Sequence, residues 1–184
     1  TEFAIATGVY GVYVSDLETG SNHAAVPPIT EFSVRHGLTD NLDFGVHAYI
    51  PGLLLDVNWM VVEAGDFALS LNPAFGGMYF SVDSGEGDSS SLFWGTAWLA
   101  VLMDLIHTDF FTLTVGPRGG YQFVTAKVEA EDASDSATGD GWLVGGVISF
   151  RLQLTKGFGL MPEFSIYALE GDALLYNGSL VFLF

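Results

Sequence analysis

The sequence predicts an all-β chain, a single transmembrane antiparallel up-and-down β-barrel of ten strands, with eight as the alternative count. Three observations predict it. Apolar residues recur with period two over segments of about ten residues, the pattern of a barrel strand. Apolar stretches are broken by Gly, Asp, Asn, Ser or Thr well before the ~18 residues that a spanning helix requires. The segments are joined alternately by short turns and by longer acidic stretches. The 184 residues suit one domain, 1–184.

Strand one runs from Phe3 to Ser15, and an acidic loop, Asp16 to Pro28, follows. Strand two, Ile29 to His36, sets Phe32 and Val34 against Glu31, Ser33 and Arg35, and Gly37 to Asn41 reverses the chain. In strand three Leu42, Phe44, Val46, Ala48 and Ile50 oppose Asp43, Gly45, His47 and Tyr49. Pro51-Gly52 leads to strand four, where Leu53, Leu55, Val57, Trp59 and Val61 oppose Asp56 and Asn58, up to the turn Glu63 to Asp66. Strand five, from Phe67, sets Leu69, Leu71 and Phe75 against Ser70, Asn72 and Gly76, with a serine-rich acidic loop from Val82 to Ser91. Strand six, Leu92 to Ile106, is apolar on both faces, so alternation does not orient Trp94 and Trp98. After His107-Thr108-Asp109, strand seven alternates Phe111, Leu113, Val115 and Pro117 with Thr112, Thr114, Arg118 and Gln122. The longest loop spans Lys127 to Gly141. Strand eight sets Trp142, Val144, Ile148, Phe150 and Leu152 against Ser149, Arg151 and Gln153. Thr155-Lys156-Gly157 leads to strand nine, where Phe158, Leu160, Phe164 and Ile166 oppose Glu163, Ser165 and Tyr167. Past Glu170-Gly171-Asp172 the last strand ends at Phe184.

Register tests this scheme, because a hairpin must pair like faces. Pairing Ile50 with Leu53 sets Val46 against Val57, Phe44 against Trp59, His47 against Asp56 and Gly45 against Asn58. A five-residue turn between His36 and Leu42 sets Val34 against Phe44 and Arg35 against Asp43. Two adjoining hairpins thus agree on the apolar face.

Charge indicates which way that face points. The chain carries 22 acids but only five Lys plus Arg, a formal charge of −17, beside 49% hydrophobic residues and a mean hydropathy of +0.40. Arg35, Arg118 and Arg151 all fall on the polar face of strands, leaving few cations for a water-facing sheet. A membrane barrel turns its apolar face outward and its polar face inward, the inverse of a soluble lipocalin-type barrel. Phe32, Phe44, Trp59, Phe67, Phe111, Trp142 and Phe158 lie near strand ends, as interfacial aromatics do. The acidic charge excludes nucleic acid as a partner, since a phosphate backbone would be repelled. The absence of cysteine excludes disulfide and thiolate chemistry.

The terminal strand Leu180-Val181-Phe182-Leu183-Phe184 and the phrase from Arg35 to Val46, together with the alternation of short turns and acidic loops, resemble the family of small bacterial outer-membrane β-barrels. The resemblance implies a Gram-negative outer-membrane location and a mature chain whose export signal has been removed. It also implies that the termini and short turns face the periplasm and the acidic loops face outward. Phe182 and Phe184 would be the signal read by the barrel-insertion machinery, and lipid and lipopolysaccharide would surround the barrel. Pro51-Gly52 and Glu170-Gly171-Asp172 are short for outer loops and imply a low rim there or a miscounted strand pair.

The candidate lumen residues are Glu31, Arg35, Asp43, His47, Asp56, Asn72, Arg118, Arg151 and Glu163. Glu31, His47, Asp56 and Asn72 would form a polar row across strands two to five. Such a row is either a solute or proton site, since a His beside carboxylates changes charge near neutral pH, or a set of charges that satisfy one another inside a closed barrel. Ser33 or Ser70 beside His47 and Asp56 could be drawn as a nucleophilic set, but such residues abound on any polar face and no catalytic motif is present. His23, His36 and His107 lack partners at ligand spacing. Glu129, Glu131, Asp132, Asp135 and Asp140 lack the order of a calcium loop, and a solvated acidic loop that could bridge to lipopolysaccharide through divalent ions is expected instead. Gly116, Gly119, Gly120, Gly145 and Gly146 fall within strands, where Gly relieves crowding. No enzyme activity, cofactor or metal is expected. The leading functional expectation is a narrow, porin-like channel or small-solute transporter with a charged lumen; the alternative is a closed structural or interaction barrel acting through its acidic loops or a partner protein.

Overall fold

The computed structural model describes residues 1–16, 20–83, 89–130, 133–169 and 173–184, and of these the side chains of all but 10–16, 20–28, 83, 129–130 and 133. Ten strands close into a barrel: β1 (Glu2–Asp16), β2 (Gly20–Thr39), β3 (Leu42–Tyr49), β4 (Gly52–Ala64), β5 (Phe67–Asp83), β6 (Ser89–His107), β7 (Phe111–Ala130), β8 (Ala133–Thr155), β9 (Phe158–Leu169) and β10 (Ala173–Leu183). Each pairs antiparallel with its neighbours in sequence, and β1 pairs with β10 to seal the barrel.

The stagger of the barrel follows from its registers. A line drawn across paired residues from Glu2 passes through Arg35, Gly45, Asp56, Ala74, Trp98, Gly120, Leu143, Leu169 and Ala173, and returns to β1 at Val14, 12 residues along. With ~3.3 Å rise per residue and ~4.8 Å between strands, that stagger tilts the strands by about 40° and gives a backbone radius of about 10 Å.

The apolar face points outward. Phe32, Phe75, Trp142 and Val144 are 57%, 61%, 66% and 65% exposed, while Ala4, Ala6, Ala68, Ala74 and Ala100 are buried against the interior. So much apolar surface on the outside of a sheet requires a non-aqueous surrounding. Each residue advances about 2.5 Å along the axis at this tilt. Phe111 and Tyr121, ten residues apart on β7, therefore stand about 25 Å apart, the height of the apolar band in membrane barrels. Phe44, Trp59, Phe67, Phe158 and Phe184 flank the lower edge of this band, and Tyr79, Phe93, Phe123 and Trp142 the upper edge.

Strand six is oriented by its burial. Thr96 and Ala100 are 4% and 0% exposed and Leu99 and Leu105 are each 48% exposed, so Trp94 and Trp98 share the lumen face.

In three expected loops the described residues prove to be strand, while 17–19, 84–88 and 131–132 lie outside the described residues. β1 and β2 pair as far as Asp16 with Gly20, β5 and β6 as far as Asp83 with Ser89, and β7 and β8 as far as Ala130 with Ala133. The β5–β6 and β7–β8 hairpins rise beyond the apolar band, where both faces meet water; hydrophobic alternation ends there although backbone pairing does not.

Both expected hairpin registers are displaced by two residues. In β3–β4, Tyr49 pairs with Gly52, so Phe44 faces Val57, Leu42 faces Trp59, Gly45 faces Asp56 and His47 faces Leu54. The turn is centred on Ile50-Pro51: Pro51 has no N–H to give a ladder, and a Cβ at Gly52 would stand 2.1 Å from the Tyr49 ring. In β2–β3, Arg35 faces Gly45 and Val34 faces Val46, because a bulge between Gly37 and Thr39 absorbs Leu38 and leaves a tight turn at Asp40-Asn41. An even displacement keeps every side chain on its face.

At the seam, Phe184 and Phe3 exchange backbone hydrogen bonds of 2.8 and 3.2 Å, and the Phe184 ring lies 5.6 Å from that of Phe158. Replacing Phe184 by Ala removes the ring pair and is expected to lower the urea-unfolding free energy in detergent by ~0.5–1.5 kcal/mol.

Candidate functional site

The lumen carries a connected charge cluster on β2–β5. His47 on β3 places Nδ1 2.6 Å from Glu31 Oε1 of β2 and Nε2 3.0 Å from Asp56 Oδ1 of β4. Asp56, 5% exposed, also accepts from the Arg35 guanidinium. Asn72 on β5 donates to Asp56 Oδ2 at 2.6 Å and to the Val57 carbonyl at 3.0 Å. Both His47 nitrogens face carboxylates, which only accept, so the imidazolium satisfies them best. Two cations then balance two anions.

A small residue makes this cluster reachable. Arg35 and Asp56 lie on strands two apart, and the residue between them in register is Gly45. A Cβ on Gly45 would stand 1.9 Å from Asp56 Oδ1 and 3.0 Å from Arg35 Nη2, so only glycine leaves room for the ion pair.

The opposite wall repeats the device. Arg118 on β7 donates to the Tyr167 hydroxyl of β9 at 2.6 Å, across Gly145 of β8, where a Cβ would stand 1.9 Å from the Ile166 carbonyl and 2.7 Å from the Tyr167 ring. The guanidinium also lies 5.1 Å from the Trp98 ring centroid and 5.9 Å from that of Tyr167, a cation–π arrangement. Glu163 on β9 lies within electrostatic reach of Arg118, Glu31 and His47, which connects the two walls. Nearer the end that carries the termini and short turns, Arg151 donates to Glu2 at 2.6 Å and to Gln153 at 3.3 Å, while Thr114 donates to Asp104 at 2.6 Å.

The structure therefore brings Glu31, Arg35, His47, Asp56 and Asn72 into contact and sets Arg118 and Glu163 opposite them. It separates Arg151, which pairs with Glu2, and places Asp43 in neither group. Trp98 was unassignable from an apolar strand, and Tyr167 stood on the polar face of strand nine without a visible partner. A glycine flanked in register by complementary polar residues was the available signal for both clusters.

His36 pairs with Thr1 Oγ1 at 2.7 Å and His107 lies 3.6 Å from Asp104. The side chains of His23, Glu129, Glu131 and Asp132 lie outside the described residues. Among the described residues no group of three or more His, Asp or Glu is placed to hold a metal ion.

Comparison with known structures assigns the fold. The chain superposes on the outer membrane protease OmpT from Escherichia coli with a TM-score of 0.57 at 9% identity, covering 99% of this chain and 94% of that one. It superposes on the translocator domain of the autotransporter NalP from Neisseria meningitidis with a TM-score of 0.51 at 12% identity, covering 100% and 88%. Ail, the attachment invasion locus protein of Yersinia pestis, gives a TM-score of 0.49 at 10% identity over 100% and 98% of the two chains. The two likenesses above 0.5 establish the fold of the bacterial outer-membrane β-barrel. No protein-family model matches the chain, and no curated protein matches it in sequence.

Proposed function

We propose that the chain is a Gram-negative outer-membrane protein whose lumen is held shut by its own charges and which acts at the cell surface through its three tall acidic hairpins. The observation that carries this reading is the Arg35–Asp56–His47–Glu31 network facing Arg118 and Glu163 across the lumen. A ten-stranded barrel is slightly wider than the eight-stranded one that side chains just fill; long charged side chains from opposite walls supply the missing bulk, and pairing within the β2–β5 cluster reduces the need for water to solvate it. The hairpins bear Asp135 and Asp140, with Glu129, Glu131 and Asp132 beside them in sequence. They suit a cationic partner protein or, through divalent ions, the phosphates of lipopolysaccharide. No catalytic role is assigned, and Phe182 and Phe184, both on the outer face, serve as the insertion signal.

Conductance tests this. Reconstituted in planar bilayers, the protein is expected to give no reproducible single-channel current, whereas Asp56→Ala, which breaks the network, gives current. Steady ion-selective current from the unaltered protein, with selectivity changed by neutralising Arg118, would establish the second reading, a narrow channel. The partial exposure of Arg35 (29%) and His47 (20%) favours that second reading.

A further inference from the structure

The outer rim has a low point at β3–β4. Pairing between β2 and β3 ends at Glu31 with Tyr49, and pairing between β4 and β5 ends at Gly52 with Met78. β2 and β5 continue upward, β2 paired only with β1 as far as Gly20 and β5 only with β6 as far as Asp83. A gap in the wall is left between their free edges, above the turn at Ile50-Pro51.

This turn does not reach into water. No charged residue occurs from Val46 to Leu55 except His47 inside the lumen, and Ile50 is 90% exposed. The Pro51 carbonyl accepts from Tyr79 N at 3.2 Å, which holds the turn at the level of the upper aromatic ring, within the apolar band. The wall is also thin here: Gly76 and Gly77 present no side chain to either face, and a Cβ on them would stand 2.4 Å from the Leu53 carbonyl and 2.7 Å from the Trp94 carbonyl.

An open groove of about 620 Å³ lies at this place. Its lipid side is formed by Leu53, Phe75, Tyr79 and Phe93, and its lumen side by Tyr49 and Met78. Met78 pairs with Trp94, whose indole lies on the lumen face of β6. The lining of the groove is continuous with the lipid-facing belt through Leu53, Phe75, Tyr79 and Phe93, and Met78 at its inner edge is the register neighbour of Trp94.

We propose that this notch is a lateral binding site for a hydrocarbon chain of an outer-leaflet lipid, which enters through the gap above the β3–β4 turn, along the free edge of β5, and rests against Tyr49, Met78 and Trp94. Continuity with the lipid-facing belt argues for a lipid chain as the occupant, because it enters without leaving an apolar environment. The proposal rests on the membrane placement given above.

Tryptophan emission in vesicles of phosphatidylcholine with brominated acyl chains tests it. A Trp59→Phe/Trp142→Phe variant keeps only the lumen pair, Trp94 and Trp98; a Trp94→Phe/Trp98→Phe variant keeps only the lipid-facing pair. The lumen pair is expected to lose emission relative to unbrominated vesicles, and adding Ile50→Asp/Leu53→Asp at the notch is expected to restore it. Quenching of the lipid-facing pair alone would overturn the notch and leave the membrane placement standing. Quenching of neither pair would overturn both. Lumen quenching unaffected by the notch substitutions, or produced only by dissolved bromobenzene in unbrominated vesicles, would overturn a lipid chain as occupant, the latter assigning the site to free aromatic solutes.

Discussion

Replacing Asp56 by alanine is expected to cost ~3–5 kcal/mol in reversible urea unfolding, the penalty for breaking a buried ion pair from one side. Asp56 is 5% exposed and accepts from three donors, Arg35, His47 and Asn72. Its removal leaves two cations and an amide facing each other with Glu31 as the remaining anion of the cluster. Asp56→Asn keeps an acceptor for Asn72 but removes the charge, so it should fall between the two proteins. A loss below ~1 kcal/mol for Asp56→Ala, the range of a solvent-exposed pair, would show that water already fills this part of the lumen and would favour the channel reading.

The second large effect lies on the other face of the wall. Phe164 is 48% exposed and points outward from the middle of β9. Phe164→Arg in lipid vesicles is expected to cost ~2–4 kcal/mol, while Leu154→Arg, beside the short turn at Lys156-Gly157, should cost only ~0–1 kcal/mol, because the penalty for a cation falls with distance from the bilayer midplane. Unfolding titrations of the two variants check this. Equal costs at the two positions would remove the depth dependence and with it the assignment of the band.

These expectations depend on which face each residue occupies, and that was legible in the sequence. Period-two alternation assigns side chains to faces, and a displacement of two residues leaves the assignment intact. For the same reason alternation did not distinguish the observed pairing of Gly45 with Asp56 from the expected pairing of His47 with Asp56. The parity is identical, and the choice lies with Pro51, Gly52 and the bulge at Leu38. The polar row of Glu31, His47, Asp56 and Asn72 survived this displacement because long side chains reach diagonal neighbours. Two things were hidden for different reasons. Strand six is apolar on both faces because the upper lumen is itself aromatic, so no contrast marked its inside. The β5–β6 and β7–β8 hairpins lose their alternation where both faces meet water, so polar strand there reads as loop.

Odd and even residues of one strand face opposite environments, lipid without and charge within. The chain contains no cysteine, so single cysteines can be introduced and spin-labelled one at a time from Glu163 to Tyr167 on β9 in lipid vesicles. Accessibility of the labels to molecular oxygen, which concentrates in hydrocarbon, is the direct measurement. High accessibility is expected at Phe164→Cys and Ile166→Cys and low accessibility at Glu163→Cys, Ser165→Cys and Tyr167→Cys. The inverse pattern, or no alternation along the strand, would contradict this placement of the two faces.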